Sequence, residues 1–355
     1  MELKLVVLVA VFAVFAFGTP IADACAPAPP AGEEVAIADE EAVIVWDAAT
    51  KTEHFIRRAQ FGSTAKKFGF LVPTPSKPEL GEIDSSIFGD LAWQLRPEVV
   101  VDTSGFTIDA EPLLWKACTL TLAKKGDGVA MPASVEVMQS VNVAGFDATT
   151  LRADAPDAIA AWLGEHGFAN TPQLTEWLAW YVDHHWVITA FVVASTDASS
   201  STVTTSAVRM TFATERPFYP YREPAPLPMT TTPRVSTASR LLRVFFLAND
   251  RYAATLGDTA PWSARVLHAS PLTLPESLVA LKAGRFATVF HDESNPRIAS
   301  DELYFARSAD QTPVRQTVTR HEPKTIPIAP DVLLLVGIVV WRLRRRKRGA
   351  HTRGK

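Results

Sequence analysis

The segments Val35-Ala-Ile37, Glu41-Ala-Val-Ile-Val-Trp-Asp47, His54-Phe-Ile-Arg-Arg-Ala-Gln60 and Phe68-Gly-Phe-Leu-Val-Pro-Thr-Pro75 decide the fold class. Short runs rich in Val, Ile and Phe, separated by polar clusters and stopped by proline, are strand signals. The stretch therefore reads as two adjacent strands joined by a hairpin loop at Asp47–Thr52, followed by a third strand. Phe68–Val72 is continuously apolar, as expected of a central strand buried on both faces. Pro73, Pro75 and Pro78 hold its exit extended.

Outward from this core, Ile83–Leu95 repeats Ile87, Phe88, Leu91 and Leu95 at helical spacing, with Asp84 as cap. Trp115–Ala123 and Val135–Val143 read as strands about a Lys124-Lys-Gly-Asp-Gly128 turn. Leu151–Tyr181 reads as two short amphipathic helices. Asp154 caps the first, Pro156 sits in its first turn, Gly167 ends it, and Ile159, Trp162, Leu163 and His166 share a face. The second opens at Thr171-Pro172 and repeats Leu174, Trp177, Leu178 and Tyr181, an aromatic stripe that suits packing on a sheet. Trp186–Ala194, Val203–Phe212, Leu241–Leu247 and Arg285–Phe290 are further strands. In Val203–Phe212 the residues Val208, Met210 and Phe212 face one way and Thr205, Arg209 and Thr211 the other. Arg216–Pro233 contains six prolines and is either a domain linker or an extended loop crossing the fold.

The two ends carry the topology. Lys4, the apolar run Leu5–Phe17 and Ala22-Asp-Ala24 before Cys25 make residues 1–24 a secretory signal, with an uncleaved anchor or a lipidated Cys25 as alternatives. Residues 25–34 are a Pro/Ala leader, 35–309 an extracytoplasmic domain divisible near 216–233, and 310–325 a stalk. Residues 326–341 read as a transmembrane helix, about 24 Å long against a hydrocarbon core of about 30 Å. Trp341 suits the interface, and Arg342, Arg344, Arg345, Arg346, Lys347 and Arg348 form the basic flank of a tail spanning 342–355. The positive-inside rule makes this a single-pass cell-membrane protein with its body outside and its tail in the cytoplasm. A buried helix followed by a basic tail is the alternative.

Formal net charge is −3, but Cys25–Trp341 holds 26 Lys and Arg against 36 Asp and Glu, whereas eight basic and no acidic residues follow Trp341. An exported acidic body excludes a nucleic-acid partner. The expected partners are the membrane and an envelope protein or polymer. The 26 prolines exceed the 17 glycines, which favours strands and loops over long helices. Two cysteines, Cys25 and Cys118, exclude a disulfide framework and a cysteine zinc site. One disulfide between them is open to the chain, as is a Cys118 that is merely a buried small residue.

Asp183-His184-His185 is the densest group of candidate bases or ligands. On a strand the two histidines face opposite ways and cannot chelate one ion together. The competing reading is a polar corner between helix and strand. His291-Asp292-Glu293 reads as a solvated turn. Ser63 lacks the glycines of a nucleophile elbow, and the chain has no H-E-x-x-H, G-x-S-x-G, phosphate-binding glycine loop or C-x-x-C. No cofactor or metal is expected, although a triad assembled in space stays open.

Glu41-Ala-Val-Ile-Val-Trp-Asp47, Phe68-Gly-Phe-Leu-Val-Pro-Thr-Pro75, Ala161-Trp-Leu-Gly-Glu-His-Gly-Phe168, Tyr181-Val-Asp-His-His-Trp186 and Arg209-Met-Thr-Phe-Ala-Thr-Glu-Arg-Pro-Phe-Tyr-Pro-Tyr-Arg222 occur in that order. With them the chain resembles bacterial domain-of-unknown-function family 2330. The resemblance implies an exported protein, often with a C-terminal membrane segment, and supplies no activity. Cys25 standing alone, without a denser cysteine cluster, and the short closing segment depart from that pattern. The expectation is an α+β, β-rich extracytoplasmic domain with a pair of short amphipathic helices and one C-terminal transmembrane helix, acting as a binding or structural envelope component. The alternative is an extracytoplasmic hydrolase or metal-dependent enzyme using His184 or His185.

Overall fold

The computed structural model describes residues 26–109, 140–153, 155–194, 202–225, 240–295, 297–322, 324–327, 334 and 336–344. Cys25, Cys118, Asp154, the signal segment and the strand expected over Trp115–Ala123 lie outside these residues. The chain divides into two units, residues 1–97 with 134–316, and residues 98–133 with 317–355.

The first unit is a stack of four layers. Its largest sheet is built on β2 (Val35–Asp47) and β3 (Thr52–Ser63), the antiparallel hairpin that the alternation of residues predicts. β12 (Val208–Ala213) and then β5 (Glu79–Glu82) extend it beyond β3, while β11 (Thr202–Thr204) pairs with the far end of β3. On the other side β14 (Leu241–Ala248) lies parallel to β2, and β18 (Phe286–Asp292), β17 (Arg265–Pro271) and β20 (Val314–Arg315) follow. β2 over Ala42–Trp46 and β14 over Val244–Ala248 are buried on both faces, hence the apolar runs there.

The apolar run Lys67–Thr74 is β4, and it belongs to a second sheet, ordered β1 (Ala26–Ala28), β4, β10 (Val187–Ala194), β9 (Phe146–Leu151) and β8 (Ser140–Val143). Phe68, Phe70, Phe146 and Phe191 project from this sheet onto Ile44, Phe55 and Phe61 of the first, forming the main core between them. A third sheet, β13 (Phe218–Tyr219), β19 (Leu303–Arg307), β15 (Tyr252–Leu256) and β16 (Ala260–Pro261), adds Leu256, Leu303 and Phe305 to that core.

Helices close the outer faces. α1 (Ser86–Gln94) sets Ile87, Phe88 and Leu91 on Val43, Val45, Phe245 and Leu247. Asp84 Oδ1 accepts the Ser86 amide at 2.8 Å, giving this helix its entry. α2 (Pro156–Glu165) and α3 (Pro172–Asp183) cover Leu71, Ile188 and Ala190 with Leu163, Leu174 and Leu178. The Thr171 hydroxyl accepts the Leu174 amide at 3.2 Å as the α3 cap.

A short helix, α4 (Glu276–Val279), leads through Gly284 into β18. A Cβ on Gly284 would lie 2.0 Å from the carbonyl carbon of Ala248 and 2.1 Å from its oxygen. Backbone cannot swing aside as a side chain can. Gly284→Ala is therefore expected to destabilise the unit by about 2–3 kcal/mol, read from the urea midpoint. A midpoint within error of the parent would refute the close approach.

The second unit contains two parallel strand pairs, β6 (Glu98–Asp102) with β21 (Thr317–His321) and β7 (Phe106–Asp109) with β22 (Lys324–Pro327). His321 Nδ1 lies 2.9 Å from Asp102 Oδ2. Residues 336–344 are helical. The expected transmembrane helix over 326–341 is not found: among the described residues no helix is long and apolar enough to cross a membrane. The physical reason lies at its start, where Ile326 and Pro327 are extended and paired in β22.

Candidate functional site

Asp183, His184 and His185 sit at the corner where α3 ends and the chain turns toward β10, and all three are exposed. His184 Nδ1 donates to the Trp180 carbonyl at 2.7 Å, and its ring stacks on Trp180 at 4.1 Å. His185 has φ of 60°. Its amide reaches Val182 O at 2.9 Å and the Trp186 amide reaches Tyr181 O at 2.8 Å, the two closures of a Schellman stop.

The same device ends α2. His166 Nδ1 donates to Trp162 O at 2.7 Å with its ring stacked at 3.9 Å, Gly167 has φ of 83°, and the Phe168 amide reaches Leu163 O at 2.9 Å. The histidine pair thus carries a local structural role, with His185 in the position that Gly167 fills in the first helix. His185→Gly is expected to stabilise the unit by about 1 kcal/mol, because a side chain in the left-handed region is strained. A thermal melt showing destabilisation would sink this assignment. Among the described residues no three His, Cys, Asp or Glu come together as a metal site.

The densest polar chemistry lies elsewhere, around Arg216-Pro-Phe-Tyr-Pro-Tyr-Arg222. Residues 217–221 are buried. Three carboxylates from distant strands grip this segment. Glu53 on β3 accepts the Phe218 amide at 2.9 Å. Glu302, beside β19, accepts the Tyr221 amide at 2.6 Å, the Arg222 amide at 3.2 Å and the Tyr181 hydroxyl. Asp292, at the end of β18, accepts the Tyr221 hydroxyl at 2.7 Å and Trp262 Nε1 at 3.2 Å. Trp177 Nε1 closes the far side by donating to Arg222 O at 3.0 Å. The Arg222 guanidinium lies over Trp180 at 4.3 Å and bonds Asp301 at 3.0 Å.

Environment sets these acids apart. Burial pushes Glu302 up to about 7 against the opposing pull of its three donors and Arg222. Burial also holds Glu53 well above the usual carboxylate range, opposed by the Phe218 amide. Burial works against Asp292 too, but hydrogen bonds from Ser294 and Tyr221 outweigh it and keep that carboxyl low. The cluster therefore holds one ionised and two readily protonated acids. Asp292 is 1% exposed, so His291-Asp292-Glu293 is not the solvated turn its composition suggests. The missed signal is the segment's own prolines: Pro217 and Pro220 leave few amides, and those of Phe218, Tyr221 and Arg222 all need buried acceptors.

Behind Trp262 the first and third sheets part, leaving a half-open cleft of about 140 Å³. Tyr252, Ala254, Trp262, Ala264 and Phe290 are among its lining residues. Trp262 is fixed by Asp292 and packs 5.5 Å from Phe290 and 5.9 Å from Tyr221.

A family model described as an uncharacterized protein conserved in bacteria (DUF2330) matches residues 19–303. No curated protein matches the chain in sequence. Among solved structures, that of baculovirus P35 aligns over 79% of this chain and 96% of its own, at 8% identity and a TM-score of 0.34.

Proposed function

The chain belongs to the family of uncharacterized proteins conserved in bacteria matched over residues 19–303, and from that premise we propose an exported binding or structural protein seated on an anionic membrane surface. One observation carries the reading. In the C-terminal helix Val336, Ile338, Val339, Val340, Trp341 and Leu343 are 41–55% exposed, so apolar side chains point outward all round. A helix that is apolar all round is one made to be covered. Arg342 and Arg344 lie on it, and Arg345, Arg346, Lys347 and Arg348 follow in sequence.

An apolar segment with a basic flank suits insertion at the boundary of headgroups and acyl chains. Each basic residue near an anionic surface contributes about 1 kcal/mol, while the acidic body is repelled. Attraction is thus confined to the C-terminal segment. The signal-like residues 1–24 support export.

Flotation of the full chain with vesicles tests this. Phosphatidylglycerol-containing vesicles should carry it upward, phosphatidylcholine alone much less, and added salt should weaken the effect. Replacing Arg342, Arg344, Arg345, Arg346, Lys347 and Arg348 by Gln should weaken binding about 100-fold or more. A chain ending at Asp331 that floats as well as the parent would overturn the proposal.

A further inference from the structure

We propose that the β6–β21 pair of the second unit is a further membrane contact, with one face laid on the anionic surface that receives the C-terminal helix; this contact rests on the membrane reading above and adds a site to it. Register gives the pair two unlike faces. Thr317–His321 lie opposite Glu98–Asp102, one for one. Opposed residues share a face, and neighbours along a strand alternate. Val99, Val101, Val318 and Arg320 therefore lie on one face. Glu98, Val100, Asp102, Thr317, Thr319 and His321 lie on the other.

On the polar face His321 Nδ1 lies 2.9 Å from Asp102 Oδ2. On the apolar face Arg320 bonds Glu322, just beyond β21, at 2.8 Å. Val99, Val101 and Val318 are 55%, 49% and 46% exposed. A folded interior would cover valines aligned in this way. Exposed apolar groups rimmed by polar ones mark contacts with a protein or a membrane. An apolar face backed by a polar one is also the arrangement of an interfacial helix, built here from strands.

Charge decides between these occupants. Residues 98–133 and 317–355 hold 13 Lys and Arg against 7 Asp and Glu, whereas the rest of the chain holds 22 against 31. The valines thus belong to a basic unit of an acidic protein. An anionic lipid surface attracts such a unit, and a second copy of it is repelled.

The test is flotation of the full chain with phosphatidylglycerol vesicles, read as the lipid concentration for half-binding. Val99→Asp and Val101→Asp each remove an apolar contact and place a negative charge at the surface, so each should weaken binding about 10-fold or more. Val100→Asp adds the same charge to the same strand but on the far face, where salt screens it, and should weaken binding less than about 2-fold. Val99→Trp should tighten binding, since indoles favour the interface, and Val100→Trp should not. All of these positions are exposed, so Tm should be retained. The proposal is overturned if Val99→Asp floats like the parent, if Val100→Asp weakens binding as much as Val99→Asp, or if Val99→Trp leaves binding unchanged. A parent that fails to float removes both this contact and the membrane reading. A parent that floats with Val99→Asp at its side removes this contact alone.

Discussion

Replacing Arg57 by alanine is expected to destabilise the first unit by about 3–5 kcal/mol. Arg57 on β3 and Glu40 on β2 form an ion pair with side chains 2% and 0% exposed. The register sets Glu40 opposite Ala59, two residues from Arg57 on the same face, so the pair spans the hairpin diagonally. The guanidinium also lies over Phe70 at 4.7 Å and Phe61 at 5.9 Å. It thus joins the hairpin to the second sheet through the middle of the main core.

Removing Arg57 strands a carboxylate in that core, where an uncompensated charge is far more costly than the pair itself is favourable. A paired substitution supplies the contrast. Glu40→Leu with Arg57→Met removes both charges and should recover most of the loss, or exceed the parent. Urea unfolding at pH 7 measures both. Two outcomes would refute this role for the pair: a loss below about 1 kcal/mol for Arg57→Ala, or a double variant as unstable as the single.

The same pair marks where local sequence signals stop being informative. The hairpin is legible in Val35–Gln60 because alternation and the polar turn are local signals. The run Phe68–Val72 announces a buried strand but not its sheet, since an unbroken apolar run has no face to betray. The parallel pairing of β14 with β2 joins segments far apart in the chain and leaves no local trace. Helices α2 and α3 are readable from their period and from Pro156, Gly167 and Thr171, although Ala155 rather than Asp154 is the N-cap of α2 and the stacking of His166 on Trp162 and of His184 on Trp180 leaves no local trace.

The buried acids are least legible. Asp292 reads as part of a solvated turn, and nothing local in the sequence marks Glu53 or Glu302 for burial. Their donors, the amides of Phe218, Tyr221 and Arg222 and the Tyr221 hydroxyl, lie on a proline-rich segment far away in the chain. At the C-terminus the apolar run reads as one helix, although its first residues pair as a strand with 106–109.

The clamp on residues 217–222 gives the second large effect. Glu302→Ala leaves two backbone amides and the Tyr181 hydroxyl without their acceptor, each worth about 1–3 kcal/mol when buried, so the loss should reach about 4 kcal/mol. Glu302→Gln is the more discriminating change. Its carbonyl can still accept the amides of Tyr221 and Arg222, and its NH2 can donate to the Tyr181 oxygen. What it lacks is the proton.

In the parent, Glu302 titrates near 7 when folded and near 4.5 when unfolded. Between those values the native state holds more protons than the unfolded state, so stability falls as pH rises. The contribution is fully present below about pH 4.5, is lost through pH 7, and amounts to about 3 kcal/mol. Glu53, shifted in the same direction, adds to the slope. Asp292, shifted downward, acts oppositely and only where pH falls below the ordinary carboxylate range. Subtracting the stability–pH curve of Glu302→Gln from that of the parent isolates the Glu302 contribution. That difference should decline by about 3 kcal/mol from pH 4.5 to about pH 8, and parallel curves would show that Glu302 is ionised throughout. The declining difference would measure the cost of burying the Glu302 carboxylate, because the hydrogen bonds from Tyr181, Tyr221 and Arg222 favour its ionised form and so oppose the shift.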